Sequence, residues 1–165
     1  MNSIIIFCAK YLFVFVILGL AIAWWRVSNE KKKQFIVSTI IGGVIAFVLS
    51  RIASKLYYDP RPFVTEHVKP LIPHAADNGF PSDHALLTMT LSVATYFFSK
   101  KIAGLMMILT FGVGLARVLA KVHSPLDILG GWVFGFIGAV AGYYLMRWLF
   151  TKYVNKPKQA KAETN

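Results

Sequence analysis

The chain has 165 residues, 56% of them hydrophobic, with a mean hydropathy of +0.58. That is too apolar for an ordinary soluble domain and fits one polytopic membrane unit. The net charge of +11 could suit nucleic acid, but the basic residues lie in short loops and a tail between apolar runs. Such a distribution reads as membrane orientation and contact with anionic headgroups, with no nucleic-acid partner.

A membrane helix needs about 20 mostly apolar residues. Ile4–Trp25 fits, interrupted near its start by Lys10; Cys8 within it has no partner for a disulfide and reads as packed or lipid-facing bulk. Phe35–Leu56 is the second span, with Arg51 and Lys55 in its last turns. A long proline-rich loop, Tyr57–Asp83, follows. His84–Phe98 is a short third span, expected to borrow a turn from one end; Ile102–Leu119 is the fourth and Leu126–Phe150 the fifth. Residues 151–165 are Lys-rich and polar and read as a disordered basic tail. The fold class expected is therefore all-α, a transmembrane helix bundle of about five spans over residues 1–150.

Arg26, Lys31, Lys32, Lys33, Lys100, Lys101, Arg147 and the tail lysines fall on one side of this topology. The richer side is expected to be cytoplasmic, which puts the N-terminus outside and the C-terminus inside. A rival reading takes Lys10, Tyr11–Leu20 and Ala21-Ile22-Ala23 as a signal peptide. Cleavage there would strand Lys31–Lys33 outside, against the charge rule. In the last span, Gly131-x3-Gly135 and Gly138-x3-Gly142 allow close helix approach, within the bundle in preference to a dimer interface.

Three polar clusters stand out: Lys55-x5-Arg61-Pro62, Pro81-Ser82-Asp83-His84 and Arg117-x5-His123-x3-Asp127. Charged groups at membrane helix ends are costly unless they pair, reach water or do chemistry. Parity brings the three together. The second and fourth spans end on the outer face and the third and fifth begin there, so one pocket can hold every cluster. Ser82-Asp83 and Ser124-Pro125 read as helix starts, whose free N–H groups and positive dipole ends favour an anion. Arg61 and Arg117 can fork onto phosphate oxygens. His123 and Asp127 are one turn apart, so the carboxylate can fix one ring nitrogen and leave the other free to attack phosphorus. His84 suits a general acid. Asp127 could instead serve only a capping box with Ser124, and Arg117 and Lys121 could snorkel to headgroups. His67, His74, Glu66 and Asp77 carry no spacing signal and read as loop groups or entry lining. No Cys/His cluster has zinc spacing and no carboxylate cluster suits magnesium, so a metal-free, cofactor-free mechanism is expected.

These residues resemble the type 2 phosphatidic acid phosphatase (PAP2) superfamily, whose pattern is roughly K-x6-RP, PSGH and SR-x5-H-x3-D. Arg61-Pro62, Pro81-Ser82-x-His84 and Arg117-x5-His123-x3-Asp127 match, over about Lys55 to Asp127. Lys55 stands one residue nearer Arg61 than the pattern, Ala116 replaces a serine, and Asp83 replaces the glycine. Asp83, with Arg61-Pro62-Phe63-Val64 and Leu71–Asp77, is similar to the bacitracin-resistance type of undecaprenyl-diphosphatase. Members of the family usually have six spans; five are read here, one fewer at the N-terminal end.

The resemblance implies removal of the terminal phosphate from a C55 isoprenoid diphosphate at the outer leaflet of a bacterial plasma membrane. The monophosphate carrier returns to cell-wall synthesis, and resistance follows because bacitracin binds the diphosphate. It makes His123 the nucleophile, Asp127 its orienting group and His84 the acid and then the base. Arg61, Arg117, Ser82 and the backbone at Asp83 hold the phosphoryl oxygens, with Lys55 assisting. The Asp83 carboxylate is expected to pair with a nearby cation and tune the site for a diphosphate. Phosphatidylglycerophosphate and phosphatidic acid are alternative substrates, and a phospholipid or antibiotic transporter is the alternative of another class.

Overall fold

The computed structural model describes residues 2–154. Its elements are α1 (Asn2–Arg26), α2 (Asn29–Leu56), a one-turn α3 (Pro62–Thr65), α4 (Asp83–Tyr96), α5 (Lys100–Leu119) and α6 (Pro125–Leu149). Among the described residues β pairing is confined to an isolated bridge between Pro60 and Asn78. Phe150–Val154 winds one π-helical turn, so the first residues of the expected tail continue the last helix. The rest of that tail lies outside the described residues.

Among the described residues, four helices are long and apolar enough to cross a membrane: α1, α2, α5 and the stretch Pro125–Tyr153. Each runs a few residues past the apolar segment read from sequence. Lys31–Lys33 sit inside the first turns of α2, because helix hydrogen bonding does not stop where hydropathy does. The expected third span differs more. At 14 residues, α4 rises about 21 Å, short of the roughly 30 Å hydrocarbon core. It borrows no turn, since Phe97 caps it and α5 begins at Lys100. Every residue from Ala85 to Thr95 except Leu87 is buried, so α4 is the axis around which the longer helices pack.

That axis is polar without being unsatisfied. Thr88, Thr90 and Thr95 donate back to the carbonyls of His84, Leu86 and Leu91 at 2.8, 2.7 and 2.8 Å. Ser92 and Thr110 share a hydrogen bond of 2.9 Å between α4 and α5. Large apolar side chains point outward instead, among them Ile40, Val44, Phe47, Leu105, Ile108 and Phe136, the distribution that hydrocarbon solvent favours.

Small residues set the helix spacing. On α6, a Cβ at Gly131 would meet the Ser82 carbonyl oxygen at 2.7 Å, and one at Gly142 would meet the Gly42 Cα at 2.5 Å. The first glycine pair of α6 therefore faces α4 and the second faces α2; both are used inside the bundle. This seating fixes the rotation of α2 and the depth of the start of α4, and with them what each presents at the shared end.

Candidate active site

Four helix ends and the Tyr57–Ser82 segment meet at one end of the bundle. They enclose a cavity of about 180 Å³ lined by Arg51, Ser54, Arg61, His74, Asp77, Asn78, Phe80, Pro81, Asp83, His84, Arg117 and His123. The wall is mostly polar, unlike the apolar grooves along α1 and α2.

His123 lies between α5 and α6. The chain reaches it through Lys121, whose φ of 63° is left-handed, an uncommon conformation for a long side chain. The turn brings Val122 N back to the Arg117 carbonyl at 3.3 Å and aims the imidazole at the cavity. Nδ1 of His123 is 3.1 Å from Asp127 Oδ2. The same oxygen accepts the Ser124 backbone N–H at 2.8 Å, while Ser124 Oγ accepts the Asp127 backbone N–H at 3.1 Å. The capping box and the histidine-orienting contact are thus one arrangement. Asp127 is fully buried, and the positive end of α6 favours its charge.

With the Nδ1 proton held by Asp127, Arg117 Nη2 lies 3.4 Å from Nε2, and Arg61 Nη1 lies beside the ring, 3.3 Å from Nε2 and 3.4 Å from Nδ1. Burial pushes the His123 pKa below the ordinary histidine value, and the two arginines push it the same way against the opposing pull of Asp127. The ring is therefore neutral and nucleophilic at neutral pH.

The arginines are held differently. Arg61 donates through Nε to Asp77 at 2.7 Å, through Nη1 to the Val122 carbonyl at 2.8 Å and through Nη2 to the Asn78 carbonyl at 3.3 Å. Its guanidinium is nearly saturated, and it keeps the Asp77 carboxyl below the usual carboxylate range. Arg117 makes only long contacts, to the Ala9 carbonyl at 3.4 Å and His74 Nε2 at 3.3 Å, and its buried Nε has no partner. Arg61 is positioned by the protein; Arg117 has donors to spare for an anion.

Ser82 occupies the N-cap position of α4, but its side chain makes no cap bond. Its backbone N–H donates to the Asp127 carbonyl at 3.0 Å, and its buried hydroxyl has no partner. His84 lines the cavity edge-on to Phe13 of α1, 5.0 Å between ring centroids. Asp83 pairs with Arg51 of α2. Lys55 does not line the cavity; it lies beside a separate groove on α2. One turn earlier on the same helix, Arg51 reaches in where Lys55 was expected. Lys121, the other residue read as snorkelling, pairs with Glu66 at 2.8 Å.

His74, Asp77 and Asn78 were invisible to spacing because they sit in irregular chain. Asn78 staples that chain to α2, donating to the Ser54 and Tyr57 carbonyls at 2.9 Å each and accepting from Asp59 N and Phe80 N at 3.0 Å each. Gly79 then passes so close to Asp127 that a Cβ would meet Oδ2 at 2.6 Å. His74 packs edge-on to His123, 5.9 Å between centroids, and burial lowers its pKa, with Arg61 and Arg117 adding to the shift. Among the described residues, no group of three or more His, Cys, Asp or Glu could hold a metal ion.

The PAP2 superfamily model matches residues 31–151, which takes in the whole of this cavity. The chain belongs to the PAP2 superfamily. It is 34% identical over 141 residues to the bacitracin transport permease protein BcrC of Bacillus licheniformis, covering 85% of this chain and 69% of that one. It is 33% identical over 147 residues to the undecaprenyl-diphosphatase BcrC of Bacillus subtilis, covering 89% and 74%. The fold is similar to the crystal structure of Aquifex aeolicus LpxE, with a TM-score of 0.63 over 86% of this chain and 93% of that one, at 21% identity.

Proposed function

We propose that this PAP2 protein removes the terminal phosphate of undecaprenyl diphosphate, leaving undecaprenyl phosphate, by way of a phosphohistidine at His123. The observation that carries the reading is the His123 ring itself: Asp127 behind Nδ1, Arg117 at Nε2 and Arg61 alongside both ring nitrogens. A neutral imidazole fixed in one tautomer and facing cations is a nucleophile aimed at an anion.

In the first step the Nε2 lone pair attacks the terminal phosphorus and the bond to the bridging oxygen breaks. The lipid monophosphate leaves with that electron pair and takes a proton from His84. Asp127 balances the charge on the phosphorylated ring. In the second step water attacks the phosphorus, gives a proton to His84 and breaks the P–N bond. Inorganic phosphate departs and His123 is restored. Arg61 and Arg117 bind the equatorial oxygens, whose charge is most spread in the transition state, assisted by the Ser82 hydroxyl and the backbone N–H of Asp83. Chelators leave the reaction intact in this scheme.

The choice of isoprenoid over phosphatidylglycerophosphate or phosphatidic acid is supported by the undecaprenyl-diphosphatase relative. In this reading α4 is the third of five crossings, the cavity faces the outer leaflet, and the C-terminus is cytoplasmic. Support comes from charge: Arg26, Lys31–Lys33, Lys100, Lys101 and Arg147 cluster at the helix ends opposite the cavity. The relative named a permease favours a transport reading, for which the His123–Asp127 pair has no use. Purified protein in detergent with EDTA, offered isoprenyl diphosphate, phosphatidylglycerophosphate and phosphatidic acid separately, decides among these. Release of phosphate, fastest from the diphosphate and abolished in His123→Ala, is expected. A folded protein that releases none from any lipid overturns the enzyme reading.

A further inference from the structure

Besides Arg61 and Arg117, a third guanidinium lines the cavity. Arg51 belongs to α2, ten residues before Arg61, and its contacts are unlike theirs. It donates to Asp83 and, at 3.3 Å, to Ser50 Oγ, and its guanidinium lies 5.2 Å from the Phe47 ring centre. The side chains of Arg51 and Asp83 are 44% and 69% exposed. An ion pair this open is weak and readily exchanged.

The position of Arg51 gives the pair its meaning. Arg51 also lines a groove of about 240 Å³ with Phe47, Val48, Ile52 and Lys55, whose walls are almost wholly apolar. It is the residue the polar cavity and this apolar groove share. A ligand with its terminal phosphoryl group at His123 and its tail in the lipid phase must cross such a junction. The group that lies there in a diphosphate ester is the inner, non-transferred phosphate.

Charge points the same way. Asp77 offsets Arg61 and Asp83 offsets Arg51, which leaves Arg117, among the described cavity residues, as the cation without a carboxylate. A monophosphate is served by the two arginines at His123. A diphosphate brings a further negative charge, and Arg51 is the remaining guanidinium at the cavity that can meet it with a two-pronged fork.

We propose that Arg51 binds the inner phosphate of a diphosphate substrate, exchanging its Asp83 partner for it, and so selects diphosphate over monophosphate lipids. This rests on the reading of the cavity as a phosphohydrolase site. Asp83 is then a positioning residue. It keeps the Arg51 fork at the junction and competes with the substrate for it.

The test measures kcat and KM of the purified full chain for an isoprenyl diphosphate and the matching isoprenyl monophosphate. Charge-assisted hydrogen bonds of the usual strength imply that Arg51→Gln raises KM for the diphosphate by about ten- to a hundredfold. The preference for diphosphate over monophosphate, as the ratio of kcat/KM values, falls correspondingly. Arg51→Lys, which keeps the charge and loses the fork, is expected to fall between. Asp83→Asn frees the guanidinium and lowers KM for the diphosphate, and that gain vanishes when combined with Arg51→Gln. Equal slowing of both substrates by Arg51→Gln, or an unchanged ratio, overturns the assignment while leaving the phosphatase reading intact. A wild-type protein that hydrolyses neither lipid overturns both.

Discussion

His123 Nδ1 and Asp127 Oδ2 meet at 3.1 Å, through the same carboxylate oxygen that accepts the Ser124 backbone N–H. One buried atom thus starts a helix and fixes a tautomer. The two roles separate by substitution. Asp127→Asn keeps an oxygen for Ser124 and loses the charge behind the imidazole, so hydrolysis is expected to drop on the order of 10³–10⁴-fold, as when a catalytic histidine loses its carboxylate. Asp127→Ala loses the cap as well and is expected to cost about 1 kcal/mol more in stability. Phosphate release paired with thermal unfolding checks both; a full-speed Asp127→Asn removes the orienting role.

The state of His123 gives a pH dependence with a definite sign. Burial, assisted by Arg117 and Arg61, holds its pKa below the ordinary value of 6.5. In the proposed mechanism the neutral form is the reactive one, so the acid limb that His123 sets in kcat/KM is expected to lie below pH 6.5. Stability follows the same direction. Between the lowered folded pKa and the ordinary unfolded one, the unfolded chain binds the extra proton, so stability declines as pH falls from about 6.5. Because Asp127 pulls the pKa upward, residual activity in Asp127→Asn should lose its acid limb at still lower pH. A limb that moves upward contradicts the assignment.

What spacing can reveal explains which parts of this arrangement were legible beforehand. His123 and Asp127 are one turn apart at a proline-marked helix start, and local geometry alone lets them touch. Arg61, His84 and Arg117 could be assembled by parity, because hydropathy alternates the direction of successive helices. Arg51 could not be told from Lys55, since both lie on one face of α2 and their relative depth depends on how far α2 slides along α6. That register is set by Gly42 packing on Gly138 and Gly142, a contact no local pattern encodes. His74 and Asp77 belong to irregular chain whose course follows from the Asn78 hydrogen bonds. The shortness of α4 was partly visible, but not its place at the bundle centre, where buried threonines satisfy themselves.

The same helix contact yields a stability prediction with an internal control. A Cβ at Gly138 would stand 2.6 Å from both the Ala46 Cβ and the Gly42 carbonyl oxygen. Overpacking of this kind typically costs about 1–3 kcal/mol, so Gly138→Ala is expected to lower the unfolding temperature in detergent. A Cβ at Gly43, the neighbour of Gly42 on α2, meets nothing within 4 Å. Gly43→Ala should be neutral or stabilising, by up to about 1 kcal/mol from helix propensity. Equal effects of the two substitutions would mean that α2 and α6 do not approach this closely.

Arg61 and Arg117 both touch the His123 ring but should respond differently to lysine. Arg61 is pinned by Asp77 and by the carbonyls of Val122 and Asn78, which join the loop to the start of α6. A lysine cannot reproduce that fork. Arg61→Lys is therefore expected to lose stability, by about 1–3 kcal/mol for the charge-assisted bonds, along with activity. Arg117 makes no contact shorter than 3.3 Å, so Arg117→Lys should leave the unfolding temperature nearly unchanged and act on the reaction. If Arg117 stabilises the transferring phosphoryl group, kcat falls more than KM rises, because the lost contacts strengthen in the transition state. Steady-state kinetics beside calorimetry distinguishes the two arginines: an Arg117→Lys protein that unfolds early but keeps its kcat would make Arg117 structural.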